Sequence, residues 1–237
     1  MNIVVLAGGI STERAVSIVS GTAVCRALRE RGHRAVLVDV YGGVDADSAG
    51  EYFPEDYDVD GALAFLHTFD AKIEQMTASG RAFFGPGVLE LCQAADVVFL
   101  ALHGADGENG KVQAAFDLFG IRYTGTGYLS SALAMDKGLS RKLMQAAGVP
   151  MPAGAKLTRR MDTALEGFGL TCPVVVKPCC GGSSVGVNIA HTQDEYETAL
   201  AEAFSYEEEV IVEEYVAGRE FSVGVVDGEA LPVIEIA

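Results

Sequence analysis

Basic residues are scarce in this chain: 17 lysines and arginines stand against 33 aspartates and glutamates in 237 residues, a formal charge of -16. So acidic a protein repels a polyphosphate backbone and offers no basic stripe, which excludes nucleic acid as a partner. A few lysines converging in a cleft still suffice for a small anion, because a cleft concentrates their field. Long apolar runs are missing too. The opening segment has no basic region and its apolar stretch stops at Gly8, and nothing downstream approaches the roughly 20 residues a spanning helix requires. No signal peptide and no membrane partner are therefore expected. The five cysteines, Cys25, Cys92, Cys172, Cys179 and Cys180, are odd in number and form no C-x-x-C pair. Neither a disulfide framework nor a zinc ribbon is indicated, and a cytoplasmic location fits.

What is abundant is apolar: 49% of residues are hydrophobic and 21% charged, spread along a length that suits one or two globular domains. Residues 2 to 7 (NIVVLA) read as a buried parallel strand ended by Gly8-Gly9. Residues 14 to 31 carry Val16, Val19, Ala23, Ala27 and Leu28 at helical spacing, and 35 to 40 read as a second strand. Strand, glycine turn, helix and strand make a βαβ unit and hence a parallel sheet. An irregular stretch at 41 to 60, whose role the sequence leaves open, precedes one helix from 61 to 79. A strand over 97 to 102, the loop HGADGENG and a helix at 112 to 119 complete an open α/β domain over 1–125.

A different rhythm follows. One helix is expected over 128 to 147, closed by Gly148 with Pro150 and Pro152 beyond it. Strands are expected at 174 to 177, 185 to 189, 210 to 214 and 221 to 226. Thr192 and Glu195 form a capping box for a helix to about 204, and Asp227-Gly228 is a hairpin turn. The chain stops within the strand that follows, as a fragment of a longer protein would.

Several phosphate-binding patterns fail. GGISTER lacks the G-x-G-x-x-G spacing, so Asp39, although placed like a ribose-binding acid, argues little for a dehydrogenase. GGSSVG at 181 to 186 is not a Walker loop, since no G-K-[ST] follows. Directly after Lys177, however, such a side-chain-poor loop lets backbone N–H groups and an ammonium converge on phosphate oxygens. An ordinary turn beside a solvated lysine explains that loop equally well.

Taken in order, VVVKPCCGGSSVGV, VEEYVAGREF at 212 to 221 and MDK at 135 to 137 resemble the ATP-grasp superfamily. AGGISTERAVS, LALHGADGENG and YTGTGYLSSALAMDK narrow the resemblance to D-alanine:D-alanine ligases. The resemblance implies an α/β pre-ATP-grasp domain at 1–125, an ATP-grasp subdomain at 126–212 and the start of a last subdomain at 213–237. It also implies ATP-dependent joining of two D-alanines through an acyl-phosphate, for peptidoglycan synthesis, with D-lactate or D-serine as alternative second substrates. A non-catalytic nucleotide-binding derivative is the remaining alternative.

By the same resemblance, Lys137 and Lys177 hold the ATP phosphates, with Ser184 in the loop above them. Glu213 meets the adenine amino group, the backbone of Tyr215 and Val216 completes the base contacts, and Glu220 takes the ribose hydroxyls. Glu13 receives the ammonium of the first D-alanine, His103 lies at its carboxylate, and Ser183 joins Glu13 in a catalytic hydrogen-bond relay. Each has a plain alternative: Glu13 suits the first turn of any helix, and three acids on one strand make a solvated face. Cys179 and Cys180 receive no role, while Asn109 and Lys111 depart mildly from the pattern. Mg2+ is implied as cofactor with ligands in a third domain that the sequence does not contain, so no turnover is expected from these residues alone. A homodimer through the first domain is also implied.

Overall fold

The computed structural model describes residues 1–44, 52–180, 182 and 185–236. It divides into two compact units: residues 1–140 with 180–183, and residues 141–179 with 184–237. The expected fold class is found, a parallel sheet with helices in the first unit and an antiparallel sheet with helices in the second.

In the first unit, β1 (Asn2–Ala7) is central, with β2 (Arg34–Asp39) and β3 (Val97–Leu100) parallel to it on either side. β1 is apolar at every position after Asn2 and buried throughout, as a strand covered on both faces must be. Val4, Leu6, Val36, Val38 and Val98 enter one cluster with Phe116, while Ile3, Val5, Ala7, Ala35 and Leu37 enter the other with Ile18 and Cys25. Each such fully buried aliphatic side chain contributes about 1.5–3 kcal/mol.

α1 (Arg14–Glu30) corrects the expected helix in one respect. Val16 and Val19 are 53% and 70% exposed, and the face on the sheet is Arg14, Ser17, Ile18, Gly21, Thr22 and Cys25. The reason lies at Gly21, where a Cβ would stand 2.7 Å from Ala7 Cβ. Only a glycine lets the helix axis come that close, and the polar Ser17 is then used up by the sheet: it accepts from Gly8 N–H at 2.9 Å and donates to Ala101 O at 2.7 Å.

The helix expected over 61 to 79 is broken. α2 (Val59–His67), capped by Asp58 accepting from Gly61 N–H, gives way to a 3-10 turn (Asp70–Lys72) and then α3 (Ile73–Ala78). The break brings Asp70 to Arg14 Nε at 2.9 Å. α4 (Val88–Ala94), which the sequence reading did not separate, begins after the left-handed Gly87. Seven residues of the irregular stretch, 45–51, lie outside the described residues. α5 (Lys111–Phe119) follows the glycine-rich loop as expected.

The single helix expected over 128 to 147 is two, α6 (Tyr128–Met135) and α7 (Lys137–Ala146). Asp136, in extended conformation, separates them and accepts from Leu139 N–H at 2.9 Å. A carboxylate that caps the next helix in this way ends the one before it.

The second unit is built on a sheet in the order β4 (Gly154–Thr158), β7 (Glu209–Glu214), β5 (Val174–Pro178), β6 (Asn188–Ala190), all pairs antiparallel. α8 (Gln193–Tyr206) covers it through Tyr196, Ala199, Leu200, Ala203 and Phe204. Thr192 accepts from Glu195 N–H at 3.3 Å, and Glu195 accepts from His191 N–H at 2.7 Å, so the capping box is present with its return bond shifted by one residue. β4 was not foreseen. β6 is shorter than the expected strand because Gly186 has φ +70° and turns the chain away. The strand expected over 221 to 226 is likewise split into β8 (Glu220–Ser222) and β9 (Val225–Val226). β9 turns through Asp227-Gly228 into β10 (Glu229–Ala230), and β8 pairs with β11 (Ile234–Ile236). Both turn residues have positive φ, 51° and 84°, as a two-residue type I′ hairpin requires.

Candidate functional site

In the first unit, the ends of β1 and β3 run into loops that meet over the start of α1. Gly8 and Gly9 both have positive φ. A Cβ at Gly8 would lie 2.5 Å from Asp39 Oδ2 and 2.8 Å from Arg14 Nη1, so the turn accepts only glycine. Asp39 is fully buried; its Oδ1 accepts from Tyr41 and Gly42 N–H at 2.9 Å and from Gly9 N–H at 3.3 Å. Its Oδ2 pairs with Arg14 Nη1 at 2.6 Å. The acid placed like a ribose ligand thus holds the glycine turn instead. Asp70, the other partner of Arg14, is raised by burial, but hydrogen bonds from His67 and Arg14 outweigh this and hold its carboxyl below the ordinary value.

Glu13 sits at the N-cap of α1, yet its carboxylate makes no capping bond. It points instead between two glycines: a Cβ at Gly104 would lie 2.8 Å from Glu13 Oε2, and one at Gly182 would lie 3.1 Å from the same atom. Ser11 ties this acid to the next loop, accepting from Glu13 N–H at 3.2 Å and donating to His103 O at 2.6 Å. The His103 ring is anchored through Nε2 to Ser20 Oγ at 3.2 Å. A recess beside these loops is lined by Gly8, Gly9, Ser11, Leu102, His103 and Gly107, among others. The HGADGENG loop is closed by Gly104 N–H donating to Glu108 Oε2 at 3.0 Å and by Gln113 Nε2 donating to Gly107 O at 2.8 Å. Lys111, one of the two departures from the expected pattern, reaches Asp106 at 2.9 Å, and the other, Asn109, accepts from Lys111 N–H at 3.2 Å. Lys137 opens α7 and is half-buried.

In the second unit, Lys177 near the end of β5 and Glu213 near the end of β7 form an ion pair. The register explains it: Lys177 faces Ile211 and Val175 faces Glu213, so Lys177 and Glu213 are diagonal neighbours on one face of the sheet. Arg141 Nη1 approaches the other oxygen of Glu213 at 3.4 Å. Tyr215 N–H donates to Pro173 O at 3.2 Å, so that amide already has a partner; Tyr215, Val216 and Glu220 are exposed. Ser183 and Ser184 lie outside the described residues.

The structure therefore brings Glu13 and His103 to adjoining loops in one unit and Lys177 to Glu213 in the other. Sequence reasoning missed Ser11, Ser20 and Arg141. Ser11 had a signal, a serine between a glycine turn and a helix start. Arg141 had none, since an arginine on an amphipathic helix reads as surface.

The residues 2–126 match the model of the D-ala D-ala ligase N-terminus, and 143–237 that of the D-ala D-ala ligase C-terminus. The D-alanine–D-alanine ligase of Lacticaseibacillus casei is 45% identical over 242 aligned residues, covering all of this chain and 67% of that protein. The crystal structure of the D-alanine–D-alanine ligase of Bacillus anthracis complexed with ATP superposes with a TM-score of 0.73 at 29% identity, over 100% of this chain and 66% of that one. The VanG D-Ala:D-Ser ligase of Enterococcus faecalis gives 0.71 at 29% identity, over 99% and 68%. The chain thus spans about two thirds of the length of proteins it matches, 67% of the Lacticaseibacillus casei ligase and 64% of the uncomplexed Bacillus anthracis structure. Two family models covering nearly every residue, and a relative sharing almost half of them, place this chain in the D-alanine–D-alanine ligase family.

Proposed function

We propose that this chain carries the ATP-binding and first-substrate portions of a ligase that joins two D-alanines for peptidoglycan synthesis in the cytoplasm. The observation that carries the reading is the Glu13 carboxylate, left free of capping and set between Gly104 and Gly182 beside the His103 loop. An uncapped acid at that place suits the ammonium of an amino acid, with the His103 ring at its carboxylate. The substrate carboxylate attacks the γ-phosphorus of ATP and ADP leaves; the amine of the second D-alanine then attacks the acyl-phosphate and expels inorganic phosphate. Ser183 is assigned to the relay with Glu13, and Ser184 to the loop over the phosphates. Lys137 and Lys177 neutralise the triphosphate, and Glu213, Tyr215, Val216 and Glu220 take the base and ribose. Positioning and charge stabilisation supply most of the acceleration in such transfers.

Mg2+ is a hard cation that prefers oxygen ligands in octahedral array. No three carboxylates converge among the described residues; no ligand is assigned to it here and no step is routed through it. A homodimer through the first domain is proposed as well, on the outward-facing Val16 and Val19 of α1.

Titration calorimetry tests the reading. Uptake of ATP that is lost in Lys177→Ala, and binding of D-alanine that is lost in Glu13→Gln, support it; no uptake of either ligand by the parent overturns it. D-serine as second substrate is the other reading, favoured by the likeness to the VanG D-Ala:D-Ser ligase.

A further inference from the structure

Arg141 is the least exposed of the three charged side chains that meet in the second unit, at 7% against 16% for Glu213 and 23% for Lys177. A buried guanidinium is retained only where its donors are used. Its Nη2 donates to Pro152 O, just before β4, and its Nη1 faces Glu213 Oε2 at 3.4 Å. Lys177 occupies Oε1 of the same carboxylate. The backbone makes room for this arrangement: across the β4–β7 pair Gly154 stands opposite Glu213, and a Cβ there would lie 2.8 Å from Glu213 Cβ. One carboxylate is thus shared by two cations of different kinds, a flexible point charge and a fork pinned to the main chain.

We propose that Arg141 is the positioning residue that holds Glu213 for recognition of the adenine base, and that it keeps this carboxylate paired when Lys177 turns to the triphosphate. The inference rests on the nucleotide reading above. A carboxylate has about four lone-pair sites, so two cations leave acceptors for an exocyclic amino group. When phosphates draw the Lys177 ammonium away, a carboxylate without Arg141 would be left buried and unpaired, and that cost would hold Lys177 back. With Arg141 in place Lys177 is released, and Glu213 stays aimed. The adenine amino group donates to Glu213, whereas inosine carries a carbonyl at that position, which a carboxylate repels. Preference for ATP over ITP therefore reports the aim of Glu213, which a merely structural arginine would not set.

The experiment is calorimetric titration of ATP and ITP into the 237-residue chain and its Arg141 variants. Arg141→Gln is expected to weaken ATP binding at least tenfold, to affect ITP much less, and to bring the two affinities to within a few fold. Arg141→Lys, which keeps the charge but cannot reach Pro152 O and Glu213 together, is expected to fall between parent and Arg141→Gln. Unchanged ATP affinity and unchanged preference in Arg141→Gln overturn the inference while leaving the nucleotide reading intact. A parent chain that takes up neither nucleotide overturns the nucleotide reading, and the inference with it. Should Arg141→Gln be unfolded by circular dichroism, Arg141→Lys decides alone: a preference equal to the parent's is the contrary result.

Discussion

Lys177 and Glu213 reach each other diagonally across β5 and β7, so the lysine assigned to the phosphates and the acid assigned to the base are partners before any ligand arrives. The pair is mostly buried, and removing the ammonium leaves Glu213 with Arg141 at 3.4 Å as its remaining ion-pair partner among the described residues. Lys177→Ala is accordingly expected to lower unfolding free energy by about 1–3 kcal/mol, the usual cost of stripping one partner from a buried polar group. It should also weaken ATP binding by at least tenfold. Urea denaturation and titration calorimetry read the two effects separately; a variant as stable as the parent would mean the ion pair contributes nothing in solution.

The Arg14–Asp39 pair lies deeper. Asp39 is wholly buried and Arg14 nearly so, and the 2.6 Å contact is surrounded by main-chain bonds to Gly9, Tyr41 and Gly42. Asp39→Asn leaves a guanidinium facing a neutral amide. Breaking a buried pair costs about 3–5 kcal/mol, and the lower end, about 3 kcal/mol, is expected because Arg14 keeps Asp70. The urea midpoint should fall with the slope unchanged. A loss under about 1 kcal/mol would show that the amide serves as well as the acid.

Much of this was readable in the sequence, and the exceptions share a cause. β1, β2 and β3 are mainly apolar runs, buried in β1 and β2 and half-buried in β3, and their composition alone marks them. The Asp227-Gly228 turn and the Thr192 cap are equally local. What failed was long-range. The buried face of α1 follows from Gly21 meeting Ala7, and the break after α2 coincides with Asp70 reaching Arg14. The end of α6 is the local exception, where Asp136 caps the next helix by accepting from Leu139 N–H three residues on. In the candidate site, Glu13 and Lys177 stand in motifs that the sequence displays. Ser20 and Arg141 act through partners 83 and 72 residues away, which spacing within a motif does not encode.

Gly104 offers a sharp test of the proposed first-substrate site. Its φ is +78°, and a Cβ would stand 2.8 Å from Glu13 Oε2 and 3.0 Å from Ser11 Oγ. Gly104→Ala therefore carries two penalties, the left-handed backbone at about 1–2 kcal/mol and the displacement of the Glu13 carboxylate. D-alanine binding should weaken at least tenfold while ATP binding holds. Equal loss for both ligands would indicate a general disturbance of the fold, and no loss for D-alanine would remove Glu13 from the substrate site.

Alkaline stability is set by groups the site does not use. Burial pushes the Cys92 thiol up to about 12 from an ordinary 9.0, and Cys25 to about 11 despite the nearby Arg29 and Arg26. The folded state keeps these protons while the unfolded chain releases them near 9. Their contribution is thus fully present below pH 9 and is lost as pH rises towards the folded values. Each thiol steepens the fall by up to about 1.4 kcal/mol per pH unit within that window. Tyr57 and Tyr196, raised from 10.0 to about 12 chiefly by burial, add to it from pH 10 upward. Cys92→Ala removes one of these terms and nothing from the site, so its urea midpoint should decline less steeply above pH 9 than the parent's. Every other titrating group is common to both proteins and cancels in the difference. Parallel declines would mean that the Cys92 thiol ionises in the folded protein as readily as in water, which its burial against the Val88 and Leu91 cluster argues against.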